Sequence, residues 1–397
     1  MVFIKYILPA LAASQLAFAS SDCGDTTIEN QSDASGISSC STIDGDITIK
    51  STYSGSLDLG SIEKIEGTLS CNGGSNVTGI TAASLESISG NFTLKGLTTL
   101  TTLSFAKLSS VGAIDWEVLP GVNSLDFTTG ITEVGDVNII DTHLTSLDGI
   151  TLKKVGQLDI TENSYLKSCN ISNLEYATGQ INFQGNYDNL EIDLPNLTNG
   201  TSMTFRNISS INIPKLKSLT GQLGFWNTDF DVLYAPDLTE TGDVVFTGNT
   251  KLTNVSLPAL KTVDGGISIS RNDKLQEIDL PKLSTVSGAI DLTGNFYELK
   301  FGALTRVDGA FNVESSNGTF SCSDLKSEYK SDVRGSWTCK TNDSNPTTSN
   351  GKSGTESGSS SSGGSSGSTS SSVAMANGVA APVAGVAALF YALAQLV

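Results

Sequence analysis

A chain of 397 residues with 41 Asp and Glu against 23 Lys and Arg carries a formal charge of −18 at neutral pH. That balance argues against nucleic acid and anionic membrane surfaces as partners. One His excludes a multi-histidine metal site, and six Cys fit an oxidising compartment.

Residues 1–19 hold one Lys, an apolar stretch and the small-x-small sequence Ala17-Phe18-Ala19. This is the pattern of a signal peptide, with Ser20 expected to start the mature chain. Loss of Lys5 leaves a mature charge near −19. Cys23 and Cys40 bracket the region ahead of the first repeat, and Cys322 and Cys339 the region after the last. Each pair is expected to close a cap, although six cysteines allow about 15 pairings.

From Gly45 to Gly309 a short strand signal returns thirteen times at roughly 22-residue spacing. With that first residue taken as zero, position +2 runs Ile47, Leu69, Phe92, Ile114 and onward to Phe311. Position +4 runs Ile49, Cys71, Leu94, Trp116 and onward to Val313, and both columns are apolar in all thirteen copies. The intervening +3 column is polar except at Gly224 and Val245. Period two with one apolar face specifies a half-buried strand. One strand per repeat, each coil touching only the next, specifies a mainly β fold: a right-handed parallel β-solenoid of about 13 coils over residues 20–340, capped by disulfides. At about 4.8 Å per strand the rod is on the order of 60 Å long.

The Gly at zero is expected to serve a turn, through positive φ or through close backbone approach. The Thr201 coil departs from this, its Gly having slipped to Gly200. Asn163, Asn186, Asn249, Asn272 and Asn295 at +7, with Asn207 and Asn227 at +6, are expected to stack as a structural ladder. Leu166, Leu252 and Leu275 supply a second wall. Cys71 and Cys169 stand four coils apart, about 19 Å, too far to bridge, and are expected to be free thiols.

Ten Asn-x-Ser/Thr sequons mark a secreted surface chain. Asn30, Asn76, Asn170, Asn196, Asn199, Asn254, Asn317 and Asn342 are the expected N-glycosylation sites. Asn91 at a strand start and Asn207 in the ladder are set apart, because burial there would block modification.

An enzyme on this architecture needs clustered carboxylates. The best group is Asp115 and Asp159 on the outward column, about 10 Å apart, with Asn138 between them and Glu117 and Glu162 nearby. His143, in a loop, has no nucleophile pattern beside it. Gly351-Lys352-Ser353 fails as a phosphate loop, since Pro346 occupies the first Gly position. No catalytic, metal or cofactor site is expected. Binding is more credible: the outward face carries Asn, Asp, Ser and Thr, and Trp226 with Arg206 at +5 of adjacent coils could stack on a sugar ring.

A stalk follows at 341–377. From Ser349 to Ser372 every residue is Gly, Ser or Thr except Asn350, Lys352 and Glu356. The uncharged tail from Val383 to Val397, preceded by Ala376, Asn377 and Gly378, has the pattern of a GPI-attachment signal, so 378–397 is expected to be removed. Asn377 is the expected attachment residue and Gly378 the second choice.

The stretch Leu257-Pro258-Ala259-Leu260-Lys261-Thr262-Val263-Asp264-Gly265-Gly266-Ile267 resembles the leucine-rich repeats of receptor L domains. The Pro step recurs at Pro195, Pro214, Pro236 and Pro281, and Cys40-Ser41-Thr42-Ile43-Asp44-Gly45 resembles the second Cys of an L-domain cap. With the stalk and tail, the chain resembles the fungal GPI-anchored cell-wall-organisation family that includes the sporulation-specific wall proteins. The first coils depart from it in lacking the Leu-Pro-x-Leu step. The resemblance implies a glycoprotein of the outer plasma-membrane face and cell wall, required for wall organisation and integrity. Wall glucan and mannoproteins would be its partners and the GPI lipid its membrane attachment, and no catalytic residue is implied. A wall-polysaccharide-acting enzyme and a surface adhesin are the alternative readings.

Overall fold

The computed structural model describes residues 23–348. The signal peptide at 1–19, Ser20, the stalk from 349, the attachment residues Asn377 and Gly378 and the tail at 378–397 lie outside the described residues.

All thirteen repeats form strands in one parallel ladder, from Ile47–Ile49 to Phe311–Ser315. The two apolar columns are in register: Ile47 pairs with Leu69 and Ile49 with Cys71. At the far end Ile290 pairs with Phe311 and Leu292 with Val313. Each cap adds one strand, Thr26–Ile28 beside Ile47–Ile49 and Trp337–Lys340 beside Phe311–Ser315. Helix α1 (Gln31–Gly36), capped by Asn30, packs on the first strand. Helix α2 (Cys322–Tyr329) turns Leu325 and Tyr329 into the core. The disulfides are Cys23–Cys40 and Cys322–Cys339. Cys71 and Cys169 are free and buried, and desolvation lifts their thiol pKa values to about 11 and about 12. Such thiols stay protonated and pack as small apolar groups.

Most coils carry strands on three sides, one wall more than the sequence indicated. A short second strand precedes most zero residues, as in Lys64–Ile65 and Thr285–Val286, and in the Gly90, Gly112 and Gly135 coils it runs on into the main strand. A third wall follows it, broken into Gly55–Asp58 to Thr102–Ser104, Ser168–Asn170 to Ile208–Asn212, and Val232–Tyr234 to Glu298–Lys300. Leu166, Leu252 and Leu275 are fully buried, so the three walls enclose one core. Four consecutive +4 residues, Phe183, Phe205, Phe225 and Phe246, stack with ring centroids 6.0, 5.3 and 5.2 Å apart. Trp116 is fully buried, edge-on to Phe92 at 5.5 Å.

The zero glycines are required for close approach, not for positive φ. At Gly90 an added Cβ would sit 2.8 Å from the carbonyl of Gly67, whose oxygen accepts the Gly90 N–H at 2.9 Å. None of the zero glycines has positive φ. Left-handed backbone occurs instead at +6, in ten coils from Gly73 to Arg271, where the chain leaves the strand for the next corner. That position holds Val118 at φ 56°, a β-branched residue that pays for the turn in strain. Val118→Gly is expected to raise stability by about 1 kcal/mol, read as a higher thermal midpoint. An unchanged or lower midpoint would show that Val118 is unstrained.

Asn207 and Asn227 are corrected by the same geometry: both occupy this left-handed corner, and Asn207 is exposed rather than stacked in the ladder. The buried ladder runs at +7 in two separate stretches. In the first, Asn163 Oδ1 accepts from Thr142 N–H at 3.0 Å and Thr142 Oγ1–H at 2.6 Å, while Asn186 Oδ1 accepts from Asn163 N–H at 3.0 Å. In the second, Thr228, Asn249 and Asn272 repeat the pattern. The side-chain amides donate back to strand carbonyls, Asn163 to Ile139 O and Asn272 to Phe246 O. The shorter Thr201 coil separates the stretches by placing buried Ile208 at +7.

Candidate binding face

The outward side of the long ladder is a regular polar surface. At +3 its residues bond from coil to coil: Asn138 Nδ2 donates to Asp115 Oδ1 at 2.9 Å, Asn182 Nδ2 to Asp159 Oδ1 at 2.8 Å, and Asn312 Nδ2 to Asp291 Oδ1 at 2.9 Å. Asp115, Asn138, Asp159 and Asn182 are direct register neighbours. The carboxylates brought together here are engaged by partners. Lys95 Nζ stands 2.7 Å from Asp115 and 2.8 Å from Glu117. Burial pushes the Asp115 pKa up, but hydrogen bonds from Lys95 and Asn138 outweigh it and leave the carboxyl below its ordinary value. Burial raises the pKa of Asp159, with hydrogen bonds from Asn182 and Gln157 opposing it. Glu162 is not part of this group; it is exposed at the left-handed corner. His143 packs against Tyr165, ring centroids 4.4 Å apart, on a different part of the coil. Among the described residues no group of three or more His, Cys, Asp or Glu is gathered to hold a metal.

Trp226 and Arg206 meet on this face. They are direct register partners, and the Arg206 guanidinium carbon lies 4.4 Å from the indole centroid. Burial lowers the Arg206 pKa from its ordinary value. Beneath the indole is Gly224: a Cβ there would collide with the distal edge of the Trp226 ring. The glycine that interrupts the polar +3 column therefore makes room for a side chain folded back along its own strand. Sequence reading found the Trp and the Arg but not Gly224, whose meaning depends on where the ring lies.

None of the ten sequon asparagines occupies +2 to +5 of any coil, and Asn91 at +1 and Asn207 at +6 flank that range. None is buried: Asn30, Asn76, Asn91, Asn170, Asn207, Asn254 and Asn342 are exposed and Asn196, Asn199 and Asn317 half-buried.

The structure thus defines a disulfide-capped parallel β-solenoid repeat protein with a polar sheet along one side. The model of a family described as Ecm33, GPI-anchored cell wall organization protein, matches residues 1–38. The chain is 52% identical to protein ecm33 of Aspergillus fumigatus over the whole of both chains. It is 37% identical to a cell surface GPI-anchored protein of Arthroderma benhamiae, covering 89% of this chain and 92% of that one. It is 33% identical to cell wall protein ecm33 of Schizosaccharomyces pombe, covering 81% and 78%. The chain belongs to the Ecm33 family of fungal GPI-anchored cell wall organisation proteins, placed at the outer face of the plasma membrane and in the wall. No solved structure matches it significantly.

Proposed function

We propose that the protein organises the wall without catalysing a reaction, by holding wall glucan, or the glycans of neighbouring mannoproteins, along the outward face of its long sheet. The observation that carries this reading is the Trp226 indole laid over Gly224 and flanked by Arg206 on a polar sheet. An aromatic ring on a surface of Asp, Asn, Ser and Thr offers a sugar both an apolar platform and hydroxyl partners. The net charge of −18 favours a neutral polymer over an acidic one. Repetition at each coil suits a polymer, since a chain lying along the rod meets the same column again at every step. The engagement of Asp115 by Lys95 and of Asp159 by Asn182 argues for a structural role of these carboxylates.

The test is binding of the glycosylated protein to arrayed β-glucan, chitin and mannan, with mass analysis of the glycans recovered. Selective retention of intact glycan is expected. Trp226→Ala should weaken it roughly tenfold while leaving the thermal midpoint near wild type, because the indole lies outside the core. Binding unchanged by Trp226→Ala would discard that site. Shortened glycans, lost in the Asp115→Asn/Asp159→Asn variant, would replace the reading with an enzyme.

A further inference from the structure

The sheet face is not open along its whole length. At most coils its +3 and +5 side chains are half-exposed, as at Asp115, Glu117, Asp159 and Thr161. In the last two coils every residue of Ile290–Gly294 and Phe311–Ser315 is buried, outward ones included. At the last coil the chain's own continuation lies against the outward side chains. Residues 341–348, counted with the stalk on composition, return along the rod end instead of leaving it. Thr341 Oγ1 donates to Phe320 O at 2.8 Å, Asp343 N–H donates to Ser315 O at 3.1 Å, and Pro346 is buried. Thr347 N–H then donates to Glu314 Oε2 at 2.7 Å and its hydroxyl to the same oxygen at 3.2 Å. Asn312 Nδ2 approaches Thr347 O at 3.5 Å. Glu314, at +5, is only 5% exposed at its side chain, and Lys340 Nζ holds its other oxygen at 2.7 Å.

A buried carboxylate on the outward side of a sheet is costly unless its oxygens are bonded. Here one oxygen is bonded by Thr347 of the returning segment and the other by Lys340 at the end of the cap strand. At the same +5 position Glu117 is half-exposed. The C-terminal end of the sheet is therefore a docking site for a Pro/Thr-containing segment, filled in cis by the stalk root.

We propose that residues 341–348 are a strap that closes the C-terminal end of the binding face, so that a glycan lying along the sheet is stopped short of the last coil unless the strap lifts. This rests on the sheet being the glycan-binding face. The strap competes with ligand for Asn312, Glu314 and their neighbours, and its release lengthens the site.

The experiment compares the full-length glycosylated protein with its Thr347→Pro variant, which removes the N–H donor to Glu314. Thr341→Val, which removes the hydroxyl donor to Phe320 O and lies off the sheet face, serves as the second variant. Hydrogen exchange over 341–348 reports the strap, and affinity for short and long linear β-glucan oligomers reports the face. Exchange in 341–348 should rise at least about tenfold in Thr347→Pro while 311–315 stays protected. Affinity for long oligomers should rise several-fold with that for short ones unchanged, and Thr341→Val should move both readouts the same way by less. Faster exchange with no change for long oligomers would overturn the strap while leaving the binding face intact. Unchanged exchange would also overturn it. Absence of glucan binding by every form would overturn the binding face and the strap's role together, whereas binding only by the variants would support the strap most directly.

Discussion

Replacing Asn163 with leucine is expected to lower the stability of the rod by about 4 kcal/mol, although the two side chains are close in size. The substitution strips the acceptor from Thr142 N–H and from its hydroxyl, and the donor from Ile139 O and Thr161 O. Asn163 and Thr142 are buried, so water does not substitute easily. Each buried polar group left without a partner costs about 1–3 kcal/mol, and at least two backbone groups are affected. Urea denaturation of Asn163→Leu beside wild type measures the effect. A loss below about 1 kcal/mol would mean that the corner hydrates or repacks, and that the ladder adds little beyond filling space.

Gly288→Val is the second large effect, expected at about 3 kcal/mol or more, with loss of secretion as its cellular counterpart. A Cβ at this position would stand 2.6 Å from the carbonyl carbon and oxygen of Gly265 and 2.9 Å from Gly266 N. All three are backbone atoms, so no side chain can swing aside. Moving the coils apart would break the hydrogen bond from Gly288 N–H to Gly265 O at 2.7 Å and disturb the flanking ladder from Ile267–Ile290 to Ile269–Leu292. Because each coil is stabilised by its neighbours, the damage spreads to both. Gly36→Ala is the matching control: its Cβ meets nothing within 4 Å, at the end of α1. That variant should be neutral or slightly stabilising. A thermal midpoint for Gly288→Val within about 2 °C of wild type would contradict the close-approach account.

The ladder was legible because its signal is redundant. Thirteen copies of an apolar pair two residues apart leave one way to stack, and the observed register places Ile49, Cys71 and Leu94 in one column. Cysteines flanking the array were equally readable, since only the neighbours in sequence can reach each other across a cap. The corners were not. Position +6 carries Val118, Asp141, Glu162 and Arg271 beside glycines, so its shared left-handed backbone has no shared residue type. Nothing in the sequence marks Thr142 and Thr228, whose hydroxyls open the two asparagine stretches. The third wall is built of strands only three to five residues long, too short for a periodic signal.

On the candidate site, sequence supplied the pair Trp226 and Arg206 because coil arithmetic sets them side by side. It placed Asp115 and Asp159 on one face for the same reason. It could not say that Lys95 and Asn182 occupy those carboxylates, because bonding between coils depends on side-chain direction. Composition likewise drew the stalk boundary at 340, whereas the capture of Thr347 by Glu314 is a contact across 33 residues that no local pattern announces.

The two disulfide caps bear on more than stability. A pile of like parallel strands has no intrinsic length, for its last coil offers the next the same row of unpaired amides and carbonyls that the first one offered it. Left bare, such an end seeds growth, and a secreted chain at high local concentration in a wall would be well placed to polymerise. Helix α1 at one end and helix α2 at the other, each tied by a bridge between cysteines 17 residues apart, terminate the stack. The molecule is thereby a unit of fixed span, and association with its surroundings has to proceed from its sides.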